Sequence, residues 1–237
     1  MTGLTDTLLA AAATCALSVA TALPASAEDR SGINQVETGK VVDTGQNSIS
    51  VAYNLYAYGE SNNDALAVIT AARIIAKTPT RASEATVEVE IEDSANSTAG
   101  ETEKTKGPAT LGDMLTAAAK LAGDNETYRE LIEDVKAEQP RGRLRGPNRL
   151  VKNISAGRTH IIRDTFNGGE LAQVTLISDG ESQLDMAVFD QNDNQICSSR
   201  PTPDQLRCSW FPRWTGTFAI RIKNEGNRQN SYVLLTD

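Results

Sequence analysis

The sequence is poor in the residues that most often carry chemistry. In 237 residues it has one histidine, His160, three cysteines and two tryptophans. A single histidine excludes zinc sites that need two or three imidazoles. No G-x-G-x-x-G, no P-loop and no G-x-S-x-G elbow occurs. Positive charge is also in deficit: 23 Lys and Arg stand against 31 Asp and Glu, a formal net charge of −8. Nucleic-acid binding draws on a cationic footprint that displaces counterions, so no nucleic-acid partner is expected. After residue 27 no run approaches the roughly 20 apolar residues that a membrane span takes, so no transmembrane segment is expected in the mature chain.

The first 27 residues are different. An apolar stretch runs from Leu8 to Ala27, is broken by Pro24, and ends on Ala25-Ser26-Ala27 before Glu28, Asp29 and Arg30. Small residues at that spacing are what a signal peptidase reads, so residues 1–27 are expected to be a cleaved signal peptide and the protein to be periplasmic or extracellular. Cys15 leaves with that segment. Cys197 and Cys208 remain, separated by a turn-rich loop with Pro201 and Pro203. C-x-x-C spacing is absent, and an oxidising compartment makes a structural disulfide the expected state.

Residues 28–140 read as helical, with an acidic insertion around 80–107. Apolar residues recur at helical spacing in four segments. The first carries Ile49, Ala52, Tyr53 and Tyr56 and is expected to end at a turn at Gly59. The second opens at Asn62-Asn63-Asp64 and runs through Val68, Ile69, Ala72 and Ile75 to Pro79. Thr110 with Asp113 looks like a capping box ahead of Met114, Ala118 and Leu121. Asn125 precedes Tyr128, Ile132 and Val135. The two hairpins loosely resemble tetratricopeptide-like helix pairs, which implies a protein-binding surface, although their spacing is too long for a regular 34-residue repeat. Within the insertion, Thr86 to Glu92 alternates like a half-exposed strand.

Residues 141–150 read as a basic linker, because Gly142, Gly146 and Pro147 exclude a continuous helix. Its arginines, Arg141, Arg143, Arg145 and Arg149, are candidate anion ligands through forked hydrogen bonds, or partners for the acidic helical half.

From residue 151 the apolar period becomes two. Val174 and Leu176, Met186 and Val188, Phe218, Ile220 and Ile222, then Tyr232 and Leu234 mark short strands divided by Gly- and Asn-rich turns. The fold class expected is α+β: a small helical-hairpin domain, then an antiparallel, jelly-roll-like β-sandwich. Residues 151–237 resemble the bacterial pre-peptidase C-terminal domain family. The resemblance rests on Phe166-Asn167-Gly168-Gly169-Glu170, Leu184 to Asp190, Asn192-Asp193-Asn194, Trp210 to Gly216, Ile220 to Asn224 and Asn230-Ser231-Tyr232. It implies a non-catalytic sandwich on an exported protein, and in some members a calcium or polymer ligand. Asp185 and Asp190 are the carboxylates it would offer to calcium. Gln183 stands where the family often has the first Asp of an Asp-x-Asp pair, and Asp193 replaces the hairpin glycine. Asp190 to Asn194 also imitates the start of an EF-hand loop, but Gln195 and Pro201 fall where Gly and Glu are required, so the segment reads as a hairpin turn. No metal and no other cofactor is expected. Trp210 and Trp214 are assigned to the core, and His160 to a strand.

Three functions follow. The leading expectation is an exported, non-enzymatic accessory or interaction protein of the bacterial envelope. The second is a module binding carbohydrate or another envelope polymer through the sandwich. The third is a hydrolase with an unrecognised carboxylate site.

Overall fold

The computed structural model describes residues 30–41, 45–91, 107–138, 146–199 and 205–237. The expected signal peptide, Arg141, Arg143 and Arg145 lie outside those residues. Four helices are described: α1 (Gln46–Asn62), α2 (Ala65–Lys77), α3 (Leu111–Ala122) and α4 (Glu126–Ala137). The starts of α2, α3 and α4 follow from capping chemistry, since a short polar side chain can accept from an otherwise unpaired first-turn N–H. The Asp64 side chain accepts from Ala67 N, and Asn125 from Tyr128 N. Thr110 and Asp113 form the reciprocal capping box.

Gly59 is not a turn. α1 continues through it to Asn63, which takes the left-handed conformation that ends the helix. A Cβ on Gly59 would stand 2.6 Å from Val68 Cγ2, so the glycine permits close approach of α2. That helix is the centre of the helical layer and touches the other three. Its small face, Val68, Ala72 and Ala76, packs with Met114, Ala118, Ile132 and Val135.

The strands are β1 (Arg81–Ala82), β2 (Val87–Ile91), β3 (Asn148–Ile154), β4 (Arg158–Phe166), β5 (Ala172–Ser178), β6 (Leu184–Phe189), β7 (Gln195–Ser199), β8 (Gln205–Trp210), β9 (Gly216–Asn224) and β10 (Asn230–Thr236). They form a first sheet in the order β1-β3-β10-β5-β8 and a second in the order β2-β4-β9-β6-β7. Without β1 and β2 the orders are 3-10-5-8 and 4-9-6-7, the double Greek-key winding of a jelly roll. The α+β class with an antiparallel sandwich is therefore what the chain adopts.

Between the sheets lies the main core. Val174, Leu176, Met186, Val188, Phe218, Ile220, Ile222, Tyr232 and Leu234 point into it, as the period-two pattern requires. Phe166, Trp210 and Phe218 meet edge-on or tilted, with ring centroids 4.9–5.7 Å apart. Both tryptophans are buried.

β5 and β10 depart from simple alternation, being buried on both faces. The reason is the helical layer. Ile49 of α1 packs with Ile177, Val233 and Leu235 on the outer face of the first sheet. Gln46, fully buried, donates from Nε2 to the Gln173 carbonyl and accepts from Thr175 Oγ1. The molecule thus has three layers: helices, first sheet, second sheet.

The sheets do not follow the expected division of the chain. β1 and β2 come from the acidic insertion, yet β1 pairs with β3 and β2 with β4. β3 itself begins at Asn148, inside the expected linker. Composition suggested a boundary there, but strand pairing crosses it.

Cys197 and Cys208 are joined, with Cα atoms 6.0 Å apart. In the fold β7 and β8 are the edge strands of opposite sheets, so the disulfide closes one side of the sandwich.

Candidate functional site

Of the two outer sheet faces, the helices cover one, and among the described residues nothing packs over the other. On the second sheet, the residues that alternate with the core side chains point outward: Asp185, Ala187 and Phe189 on β6, and Ala219, Arg221 and Lys223 on β9. All of these but Ala219, together with Glu90, Ser198 and Glu225, line an open groove with a volume of about 440 Å³. Its side chains are already arranged. The Arg221 guanidinium lies 4.4 Å over the Phe189 ring, a cation–π distance, and one of its nitrogens is 3.5 Å from Asp193. Lys223 is paired with Glu225 at 3.2 Å. The floor is therefore apolar at Phe189 and Ala187. The walls carry both hydrogen-bond donors and carboxylate acceptors, the mixture that suits a hydroxyl-rich ligand.

Asp185 lines this groove, whereas Asp190 sits in the turn after β6 and the two do not converge. The Asp190 carboxylate is buried and is occupied by protein donors. One oxygen accepts from Asn34 N at 2.8 Å, the other from Asn192 N at 2.8 Å and Asn194 N at 2.9 Å, and the Asn194 side chain adds a further donor. Burial pushes this carboxyl upward, but the hydrogen bonds from Asn194, Asn34 and Asn192 outweigh it and hold it below the usual carboxylate range. Its acceptor sites are spent on the hairpin, which adopts a positive φ of 59° at Asp193, where the family resemblance would place glycine. Among the described residues no group of three or more His, Cys, Asp or Glu side chains stands together as metal ligands.

Asn34 is a residue that sequence reading missed. It is fully buried and ties the stretch 30–41 across one end of the sandwich. Besides donating its N–H to Asp190, it accepts from Trp214 N and donates to the Trp214 carbonyl. Val36 and Lys40 continue the strap with backbone bonds to Phe211, Gly169 and Leu171. Nothing in the run Ser31-Gly32-Ile33-Asn34-Gln35 marks that role, because every partner is more than 150 positions away.

Arg149 is the member of the arginine cluster within the described residues. It lies on the helix-covered side of the first sheet and hydrogen-bonds the Tyr53 side chain of α1. The Tyr53 hydroxyl donates to the Ala109 carbonyl at 3.0 Å. This arginine thus works inside the helix–sheet interface.

His160 is enclosed between the sheets, where its Nδ1 shares a 2.8 Å hydrogen bond with the Tyr232 hydroxyl. Burial first, and the charge of Lys152 second, lower its pKa from the ordinary 6.5. The unfolded chain therefore takes up a proton more readily than the folded one. His160's contribution to stability is present above pH 6.5 and is lost as pH falls from there toward the lower folded value. Denaturation midpoints measured between pH 7.5 and 5 should decline, and His160→Gln should flatten that decline. An identical slope in the variant would assign the pH dependence to other groups.

No family model matches the chain, and no curated protein sequence matches it. Solved structures do share the sandwich. The pre-peptidase C-terminal domain of a Bacillus anthracis collagenase is 8% identical, with 38% of this chain and 89% of that chain covered and a TM-score of 0.35. Aeromonas hydrophila PliG, a periplasmic inhibitor of g-type lysozyme, is 14% identical over 38% and 86%, with a TM-score of 0.30. The carbohydrate-binding module CBM36, solved with calcium and xylotriose, is 14% identical over 37% and 87%, with a TM-score of 0.25. These are distant likenesses in fold and do not carry ligands over to this chain.

Proposed function

We infer that the protein is an exported, non-enzymatic binding protein of the bacterial envelope. Its working surface is the open face of the second sheet, and its ligand is an extended, hydroxyl-rich polymer such as an envelope glycan. The observation that carries this reading is the groove itself. It is a strand-built surface that no described helix covers, while the opposite outer face is buried, with Phe189 as an apolar contact, Arg221 and Lys223 as donors, and Asp185 and Glu90 as acceptors. Arg221 is held over Phe189 and near Asp193 before any ligand arrives, which reduces the ordering cost of binding. Support for export comes from the Cys197–Cys208 disulfide and from the apolar leader ending at Ala27. The non-enzymatic reading rests on the enclosure of the one histidine.

The test is retention of purified protein on insoluble bacterial envelope glycan. Retention of the wild type is expected. Arg221→Ala and Asp185→Ala should each weaken it about tenfold, the equivalent of one charge-assisted hydrogen bond. Retention unchanged in both variants, or none in the wild type, would remove the groove from consideration.

A further inference from the structure

Strand register sets out the floor of the second-sheet groove in rows. Ala187 is the middle residue of the outward face of β6, roughly 6.6 Å along the strand from Asp185 on one side and Phe189 on the other. Across the strands it stands opposite Arg221 of β9 and Ser198 of β7. One methyl-sized, half-buried side chain is thus surrounded by an aromatic ring, a guanidinium, a hydroxyl and a carboxylate.

Charge argues for a neutral ligand. Arg221 lies near Asp193 and Lys223 is paired with Glu225, so opposite charges interleave and neither a polyanion nor a polycation meets a field of one sign. The aromatic surface narrows the ligand further. A plain sugar ring is held best by an open, flat aromatic face, and Phe189 is the one aromatic residue among the described residues that line the groove. The Arg221 guanidinium lies 4.4 Å over that ring, so one of its faces is already taken. What the floor offers instead is a place beside Phe189 and above Ala187 for a small apolar group, with polar partners around it. Arg221 carries five N–H donors, and its contact with Asp193 at 3.5 Å uses one nitrogen at the weak end of the hydrogen-bond range. Asp185 takes an equally long 3.5 Å bond from Gln183 Nε2, whereas a carboxylate has about four acceptor sites. Both side chains therefore keep capacity for a ligand.

A secondary amide that ends in a methyl group matches this set. Its methyl rests on Ala187 and the edge of Phe189, its carbonyl accepts from Arg221, and its N–H donates to Asp185. Resting on the polymer-binding function above, we propose that the groove selects a polymer of N-acetylated amino sugars, with Ala187 as the residue that admits the acetamido group. A hydroxyl in the place of that group leaves Ala187 and Phe189 uncovered and gives up the amide's pairing with Arg221 and Asp185. A larger side chain at position 187 fills the space the methyl needs.

Isothermal titration of the full chain compares three tetrasaccharides of one β-1,4 linkage, built from N-acetylglucosamine, glucose and glucosamine. The N-acetylated tetramer should bind about tenfold tighter than either of the others. Ala187→Leu should remove most of that preference, and Ala187→Ser, which keeps the space, should retain it. Ala187 lies on the outer face, so circular dichroism should show both variants folded. Equal affinity for the N-acetylated and glucose tetramers overturns the proposal, as does tighter binding of the glucosamine tetramer, which would assign the groove to free amines. A preference unchanged by Ala187→Leu overturns it too, and so does retention on envelope glycan without binding of the N-acetylated tetramer. Retention compared between the wild type and Arg221→Ala does not vary the acetamido group, so it tells a failure of this selectivity from a failure of the groove itself.

Discussion

Asp190→Ala is expected to lower the stability of the protein by about 3 kcal/mol, a large effect for one side chain. The buried carboxylate accepts from the backbone N–H groups of Asn34, which is buried, and of Asn192 and Asn194 in the more exposed hairpin turn. Truncation leaves those donors without a partner, and each unpaired buried donor costs on the order of 1–3 kcal/mol before water entry and relaxation offset part of it. Urea unfolding followed by tryptophan fluorescence measures the loss. Asp190→Asn should recover little, because one oxygen becomes a donor that faces other donors. The carboxyl's depressed pKa gives this stabilisation a pH signature. It is present above the ordinary unfolded value near 3.9 and disappears as pH falls through the lower folded value. The variants should therefore approach the wild type in strong acid. The strap 30–41 should also exchange its amide hydrogens faster in Asp190→Ala, since Asn34 N loses its acceptor. A loss below about 1 kcal/mol would mean that water replaces the carboxylate at no great cost.

Reduction of Cys197–Cys208 should cost roughly 2–3 kcal/mol, the chain-entropy value for a loop closed over a separation of 11 residues. The bridge joins the edge strands β7 and β8 of opposite sheets, so its loss frees one side of the sandwich. Two cores on either side of a linker would unfold separately, and only the fluorescence of Trp210 and Trp214 would then respond. The tertiary structure predicts otherwise. Ile49 shares a cluster with Ile177, Val233 and Leu235, Gln46 bridges α1 to β5, and β1 and β2 stitch the chain between helices into both sheets. In thermal unfolding, helical circular dichroism and tryptophan fluorescence should therefore shift together on addition of reductant. A helical transition that stays in place while the fluorescence transition moves would show two independent cores.

Elements whose signal is local were legible in the sequence. The caps at Asp64, Thr110 and Asn125 act within three residues, and the strand β2 announces itself in the alternation from Thr86 to Glu92. The inward face of β9 is readable from Phe218, Ile220 and Ile222 alone. Gly59 was misread because glycine serves equally in a turn and at a close helix contact. Only the position of Val68 tells the two apart. Asp185 and Asp190 looked alike as carboxylates on either side of one strand. Pleating sends one to an open groove, and the hairpin folds the other back onto its own backbone.

By itself the sequence determined the α+β class, the sandwich, and the presence of one histidine and one cysteine pair after residue 27, because periodicity, capping and composition are properties of neighbouring residues. Only the tertiary structure decided which sheet face the helices cover, where Asn34 is buried, and that the acidic insertion supplies two strands. Each of those depends on residues far apart in the chain meeting in space. The choice follows from which apolar faces find cover: the helices bury the outer face of the first sheet, and among the described residues nothing packs over the outer face of the second.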